Sequence, residues 1–186
     1  MAITRQGIGL AEFLELPEEK PALEYEAGRI TQKVSPKAKH GRLQFWIASL
    51  IESAASAGRL GMVFTELRTT FAGASRVPDV AYYRSDRLPR QEDGELANDA
   101  LTPPDLAVEI RSPEQSMRSQ LQRCRDYVRD GVRLVLAVDP ETRRVWVVGV
   151  GLAERELAAN EAVDLSAAVP GLTLSPSRIF EGLGIN

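Results

Sequence analysis

The chain has 186 residues, of which 44% are hydrophobic and 26% charged, and its formal net charge is −3. This length accommodates one well-buried core but is short for two, and the composition is that of an ordinary globular domain. The weak negative charge argues against a surface that grips nucleic acid indiscriminately, although it leaves room for a local basic groove.

Cysteine and histidine are too scarce for several common kinds of site. Cys124 and His40 are the single representatives of their types, which excludes an intrachain disulfide and a zinc site built on Cys and His ligands. Cys124 falls on the apolar stripe of a predicted helix, where a core residue is favoured over a catalytic thiol. No apolar run approaches the ~20 residues needed to cross a bilayer. The N-terminus also lacks the profile of a secretory signal, so we expect a cytoplasmic protein without a membrane partner.

The first third of the chain predicts a short helix, a hairpin and a long helix. Residues 10–16 form an amphipathic helical turn that Pro17 ends, and residues 23–34 are typical of two short strands. Apolar residues then recur at helical spacing over residues 40–57, with Gly58 where a C-terminal cap belongs.

The middle of the chain changes to strand periodicity. Residues 61–71 and 76–83 predict two strands joined by the turn at 72–75. Residues 85–102 are polar and predict a surface loop with a helical turn, and a third strand is expected over 105–111.

The second half predicts a crossover between parallel strands. A helix is expected to begin at Ser112-Pro113 and to end at Gly131, and residues 132–138 are a near-continuous apolar run typical of a strand buried on both faces. The strand–helix–strand unit over 105–138 predicts a parallel pair with a right-handed connection. Two more strands and a short helix are expected at residues 144–150, 154–157 and 176–183. We therefore predict a single mixed α/β domain over residues 1–186.

Two carboxylates lie in apolar runs that predict buried strands. Asp79 stands in the segment 77–80, and Glu109 stands in the segment 104–110. A buried carboxylate is costly unless a cation, a proton or hydrogen bonds compensate it. Either residue alone is explained by a strand-end cap or an arginine partner, but two of them on strands that could lie side by side suggest a divalent-metal site.

The ordered set of motifs resembles the Uma-two family, bacterial proteins with the restriction-endonuclease-like fold of the PD-(D/E)XK nucleases. The matching segments extend over about residues 10–180, namely 24–29, 40–42, 76–81, 104–113, 125–127, 131–132 and 138–143. The resemblance implies an α+β core with a mixed sheet flanked by helices in the order αβββαβ. An N-terminal hairpin and a β-rich C-terminal tail would extend this core.

The resemblance also implies a metal-dependent phosphodiesterase site. Asp79 and Glu109 would match the two acids of the motif and hold Mg²⁺ or Mn²⁺, while the backbone carbonyl of Ile110 completes the coordination shell. Phosphodiester hydrolysis needs an activated water and stabilised charge on the transition state and leaving group. The implied partner is nucleic acid, with DNA favoured over RNA. An exposed sheet edge in the tail would suit a homodimer.

The chain departs from the family pattern at the lysine that normally positions the water. The residue two beyond Glu109 is Arg111, and the helical position at which the family tends to carry its lysine is Arg123. Gln115 stands where a family aspartate aligns. An arginine can neutralise a phosphate but cannot act as a base at neutral pH. We expect Arg123 or Arg111 to replace the lysine, with a solvated Arg123 as the alternative.

These departures leave two hypotheses of different classes open. The first is a Mg²⁺-dependent endonuclease acting on DNA or RNA, or a relative with reduced activity, that uses Asp79 and Glu109 as ligands. The second is a catalytically inactive module that keeps the nuclease fold for binding or interaction. All four lysines precede the motif, and Lys37 or Lys39 could reach the site from the loop before the first long helix.

Several other residues are weaker candidates. His40 could lie near the metal, although a lone histidine is more often a surface or capping residue. Glu66 could add a third carboxylate. Tyr127 is expected at the edge of the core rather than on a phosphate. Three further residues are expected to be structural: Asp105, bonded to backbone amides, and Phe45 and Trp46, in the core.

Overall fold

The computed structural model describes residues 3–184, which form helices and strands in the following order. The N-terminal elements are β1 (Ile3–Gln6), α1 (Leu10–Leu14), β2 (Leu23–Glu26), β3 (Arg29–Gln32) and α2 (Ala38–Ser56). The central elements are β4 (Gly61–Thr65), β5 (Thr69–Phe71), β6 (Ala74–Arg76), β7 (Val80–Arg84), β8 (Leu106–Ile110) and α3 (Met117–Arg129). The C-terminal elements are β9 (Leu134–Asp139), β10 (Arg144–Gly149), β11 (Leu152–Glu156), β12 (Val163–Asp164), β13 (Thr173–Leu174) and α4 (Pro176–Phe180).

A mixed six-stranded sheet forms the centre of the fold, in the order β11-β10-β9-β8-β7-β4. β8 and β9 pair in parallel on either side of the crossover helix α3, and the other neighbours in this sheet pair antiparallel. α2 packs Leu43, Ile47 and Ile51 against one face. α3 packs Cys124 and Tyr127 against the other face. The predicted mixed sheet flanked by helices is therefore confirmed, as are the parallel pair and the core position of Cys124.

The prediction of two continuous strands at residues 61–71 and 76–83 is wrong, because each of them breaks in two. The chain leaves the six-stranded sheet at Glu66, whose φ of 53° lies in the left-handed region. It returns through Pro78, which has no N–H for a strand ladder. The hairpin β5–β6 between these breaks belongs to a five-stranded sheet, in the order β1-β3-β2-β6-β5. This second sheet places the predicted hairpin β2–β3 beside the segment that precedes β7.

The crossover helix α3 begins later than the predicted start at residues 112–113. Ser116 caps it by accepting a hydrogen bond of 3.1 Å from the Ser119 amide. The segment before it is a turn, in which the Ser112 amide donates to the side chain of Gln115 over 3.0 Å. The turn leaves several residues free to line the end of β8 instead of extending the helix.

The surface of the fold corrects one prediction and leaves another untested. Phe45 was expected in the core but is 62% exposed, because it lies on the outer side of α2. Trp46 is half-buried and donates to the carbonyl of Arg178. β11 forms an edge of the six-stranded sheet, and the homodimer expected at an exposed edge stays a prediction. No helix within residues 3–184 is both long and apolar enough to span a membrane.

Candidate metal centre

Asp79 and Glu109 meet at the end of two neighbouring strands. β7 and β8 pair with Val80 opposite Val108, so Asp79, the residue before β7, comes opposite Glu109. The side chain of Asp79 accepts a hydrogen bond of 2.7 Å from the amide of Ile110. Both acids are buried, at 1% and 5% exposure, and both line a cavity of about 20 Å³. This volume holds a single water or ion.

Lys33, which follows β3 in the second sheet, supplies a cation that the sequence did not point to. Its Nζ donates to Asp79 Oδ1 over 2.8 Å, to the Val77 carbonyl over 2.9 Å, and to both oxygens of Glu66 over 3.0 and 3.1 Å. Burial alone would lower the pKa of Lys33, but the charges of Asp79, Glu109 and Glu66 outweigh burial and raise it. Lys33 therefore remains a fully charged ammonium group within the site.

Glu66 and His40 complete one side of the site. The left-handed turn at Glu66 aims its carboxylate at Lys33, and Gln44 of α2 holds this carboxylate and the Asp79 carbonyl over 3.0 and 2.9 Å. His40, in the first turn of α2, places Nε2 3.3 Å from Asp79 Oδ1. One ligand atom from each of His40, Glu66 and Asp79 lies within 4.8 Å of the others. These three residues could hold a metal ion together.

Arg123 projects from α3 into the opposite side of the site, so the alternative of a solvated arginine is wrong. Its guanidinium donates to both oxygens of Glu24 over 2.5 and 3.0 Å and to the Tyr127 hydroxyl over 3.1 Å. Its Nε lies 2.9 Å from Oε1 of Glu109. Tyr127 is fully buried, as expected of a core residue. Glu24 also accepts from the Val77 amide over 2.7 Å and so ties β2 to the segment before Asp79.

The environment separates the pKa values of the two central acids. Burial, reinforced by the charge of Asp79, raises the pKa of Glu109 to about 7 although Arg123 and Lys33 oppose the shift. Burial also acts on Asp79, but there Lys33 and His40 prevail and lower its pKa. Four carboxylates, two of them on Glu24 and Glu66, face the ammonium of Lys33 and the guanidinium of Arg123. The site therefore has room for additional positive charge.

Other predicted candidates are not brought to the site. Arg111 turns away and donates to Asp139 Oδ1 over 2.9 Å and to the Gln115 carbonyl over 2.8 Å. The structure does not bring Arg111 to the cavity, because the Asp139 carboxylate at the end of β9 binds its guanidinium. Lys37 and Lys39 reach exposed carboxylates at Glu114 and Glu141 instead. Gln115, at the position of the family aspartate, does line the cavity.

Sequence reasoning missed Lys33 and Glu24, which both come from the hairpin β2–β3. The hairpin pairs Leu23 with Gln32, and the Lys33 amide bonds to the Ala22 carbonyl. Glu24 and Lys33 therefore lie near the same end of this hairpin. An acidic and a basic residue near the same end of the predicted hairpin were the available signal, although the hairpin also carries Glu26 and Arg29. Only the packing of the second sheet against the first reveals where that end lies.

Comparison with known proteins gives a family and a structural relative. The family described as “Uma2: Putative restriction endonuclease” matches residues 10–177. The crystal structure of “a putative nuclease belonging to DUF820” from Anabaena variabilis ATCC 29413 is 35% identical, with a TM-score of 0.89. That match covers 95% of this chain and 99% of the relative. A weaker likeness, with 13% identity and a TM-score of 0.39, covers 59% of this chain and 9% of a chain in the DrdV–DNA complex. No curated protein matches the chain.

Proposed function

The chain belongs to the Uma2 family, and from this premise we propose that it is a metal-dependent nuclease that hydrolyses phosphodiester bonds of DNA. The family assignment and the structural relative support a nuclease with the restriction-endonuclease-like fold. The observation that carries the metal dependence is the meeting of Asp79 and Glu109 in one cavity that contains more carboxylates than cations. We treat both sheets as one domain of this enzyme, because the site draws residues from each.

The residues present fit a hard divalent cation. Oε1 of Glu109 is buried and has no hydrogen bond of good geometry, although the Arg123 guanidinium is close, so it retains capacity for a ligand. Extending the register of β7 and β8 by two residues brings Pro78 opposite Ile110. Proline has no N–H, so Pro78 cannot donate a hydrogen bond to the Ile110 carbonyl. We propose that Asp79, Glu109 and the Ile110 carbonyl hold Mg²⁺ or Mn²⁺, which prefer oxygen ligands. The bound ion supplies a Lewis acid that lowers the pKa of a water and neutralises phosphate charge.

The chain's own residues divide the remaining tasks. Lys33 is placed to donate to a phosphate oxygen or to orient the attacking water, so it takes the part of the lysine missing after Glu109. Arg123 is a positioning residue in this proposal, because its guanidinium bridges Glu24 and Glu109 and so holds the acid in place. The inactive-module hypothesis rested on the absence of a lysine from the two expected positions, and the position of Lys33 in the site favours the active nuclease over it.

A cleavage assay with metal titration tests the proposal. Purified protein with Mg²⁺ or Mn²⁺ is expected to cut supercoiled plasmid, and Asp79→Ala is expected to abolish cutting while remaining folded. The control is Asp164→Ala, which removes an exposed aspartate in β12. Isothermal titration should show Mn²⁺ binding to the wild type and to the control but not to Asp79→Ala. A folded wild-type protein that neither binds Mn²⁺ nor cuts any substrate would contradict the proposal.

A further inference from the structure

A wide cleft adjoins the metal centre and extends away from it. Its volume is about 910 Å³, and it shares Lys33, Val34 and His40 with the cavity at Asp79. A cleft of this size is much larger than one ion and its waters require. Any molecule in it would touch the residues that surround the candidate metal ligands.

One wall of the cleft carries an arginine without a carboxylate partner. Arg68 is half-buried, and its guanidinium lies 5.4 Å from the centre of the Phe13 ring. Within the described part of the chain no carboxylate forms an ion pair with it. Among the residues whose burial the structure describes, the other buried or half-buried arginines all pair with a carboxylate, namely Arg76, Arg84, Arg87, Arg111 and Arg123. The unused donors of Arg68 are therefore available to an anionic ligand.

The same wall offers an aromatic ring. Phe64 of β4 is half-buried, lines the cleft, and packs against Tyr83 with ring centres 6.0 Å apart at 80°. An aromatic ring beside a cation is the combination with which proteins hold unpaired nucleic acid, since the ring stacks on a base while the cation binds a phosphate. Phe64 and Arg68 lie on the wall that leads to Lys33.

The cleft is also lined by carboxylates that oppose a second strand. They include Glu18 and Glu19, both exposed, with Lys20 as their basic neighbour. A duplex brings two phosphate backbones to a nuclease and is bound through cations that follow both of them. In this cleft a second backbone would approach the carboxylates of Glu18 and Glu19, whereas a single strand could contact Arg68 and Lys33.

We propose that the cleft binds one unpaired strand of nucleic acid, with Arg68 on a backbone phosphate and Phe64 against a base. The inference deepens the proposed function, because it names the substrate of the same site as a single strand, a flap or an overhang. Binding of the strand does not itself require cleavage. The two proposals can therefore fail separately.

Fluorescence anisotropy of a labelled twelve-nucleotide DNA strand and of the corresponding duplex tests the inference. Asp79→Asn protein in Mg²⁺ keeps the strand intact during the measurement. The single strand is expected to bind about 10-fold more tightly than the duplex, in keeping with stacking and one-sided charge. Added to this background, Arg68→Gln is expected to weaken strand binding about 10-fold and to reduce the salt-dependence slope by about 0.7, the value for one phosphate contact.

Two further variants keep this test decisive. Phe64→Leu is expected to weaken strand binding about 10-fold, because one stacked base is lost. Arg118→Gln, which removes an exposed arginine of α3 outside the cleft, is expected to change nothing. Equal or tighter binding of the duplex would overturn the inference, as would equal behaviour of Arg68→Gln and Arg118→Gln. Intact strand binding by a wild-type protein that cuts nothing would reject the nuclease and leave the cleft inference standing.

Discussion

A carboxylate is buried at each end of β8, and the two carboxylates have opposite electrostatic surroundings. Asp105 immediately precedes the strand and Glu109 lies four residues later, about 13 Å away along an extended chain. Asp105 is fully buried and receives the guanidinium groups of Arg87 and Arg133 over 2.5 and 3.1 Å, together with the Arg84 amide over 3.0 Å. At this end one negative charge meets two positive ones. At the other end the cluster around Glu109 contains twice as many carboxylates as cations.

The two ends differ in how far the fold compensates the buried negative charge, and the proposed metal site is the end that is left short of positive charge. Asp105 has everything a buried carboxylate needs within the fold, including the backbone amide expected from the sequence. Glu109 and Asp79 receive less compensating positive charge, because they share Lys33 and Arg123 with Glu66 and Glu24. In our proposal a cation from outside the chain completes the second end, whereas the first end already has its compensating charges within the fold.

The largest effect is expected on the cleavage rate, when the buried carboxylate at each end is neutralised in a separate variant. Asp79→Asn is expected to lower plasmid cleavage about 10³-fold or more, because a metal ligand is lost. Asp105→Asn is expected to leave the cleavage rate of the folded protein within about 2-fold, since no step of the reaction uses it. Its free energy of unfolding should fall by about 2 kcal/mol, a value reduced for the partial exposure of Arg87 and Arg133. Initial cleavage rates and urea unfolding measure the two quantities. Comparable losses of activity in both variants would show that the ends are not functionally distinct.

The second prediction concerns the cation at the functional end. Lys33→Met is expected to lower cleavage about 100-fold, because a charge aimed at the reacting phosphate is lost. The same change should strengthen Mn²⁺ binding, since an ammonium no longer competes for Asp79 and Glu66. Lys37→Met is the matched control, because Lys37 pairs with Glu114 on the surface. Weaker Mn²⁺ binding in Lys33→Met than in Lys37→Met would contradict a competing role for Lys33.

The acid pair could be predicted from the sequence and Arg123 was one of two candidates for its cation, whereas Lys33 could not be predicted. Asp79 and Glu109 stand in apolar runs on strands that could lie side by side, and the resemblance to the Uma-two family matches them to the two acids of one motif. Lys33 and Glu24 enter through the second sheet. That sheet exists because the predicted strands break at Glu66 and Pro78, and a left-handed glutamate has no signature in the sequence.

Arg123 lies in the site and Arg111 does not, and this difference has a similar cause. Both were equally good substitutes for a lysine by sequence position, one on the strand and one on the helix. Their fates depend on which carboxylate each one reaches in space, Asp139 for Arg111 and Glu24 for Arg123. Such long-range pairing is beyond spacing rules, although the site's two acids and most of the fold are not.

A third prediction uses pH to expose the shortage of charge at Glu109. Its pKa is about 7 in the folded protein, above its ordinary value of 4.5. Between these values the folded protein retains a proton that the unfolded chain has released, so the free energy of unfolding falls as pH rises through this window. The loss is on the order of 3 kcal/mol, since one pKa unit corresponds to about 1.4 kcal/mol. Asp79, whose pKa is lowered, acts only at lower pH, where its contribution is lost as pH falls below 3.8.

Urea unfolding without metal at pH 5 and pH 8 measures this contribution. Glu109→Gln should remove most of the difference between the two pH values and be more stable than the wild type at pH 8. Mn²⁺ should restore the stability of the wild type at pH 8 but not that of Glu109→Gln, because the ion replaces the proton. Glu114→Gln, at an exposed carboxylate, serves as the control. An unchanged pH dependence in Glu109→Gln would remove Glu109 as its source.

The smallest effect on activity is expected at Arg111, the cation that faces away from the functional end. Arg111→Met is expected to change cleavage by less than about 2-fold, because its donors bind Asp139 and the Gln115 carbonyl rather than the site. Its free energy of unfolding should fall by about 1 kcal/mol, the usual contribution of such a hydrogen-bonded pair. Arg123→Met provides the contrast, since it frees Glu109 and Glu24 of their shared guanidinium and should reduce Mn²⁺-dependent cleavage well beyond the Arg111 variant. If both variants lost the same amount of cleavage activity, the total positive charge near β8 would determine the cleavage rate. The specific contact of Arg123 with Glu109 would then not explain how the acid is positioned.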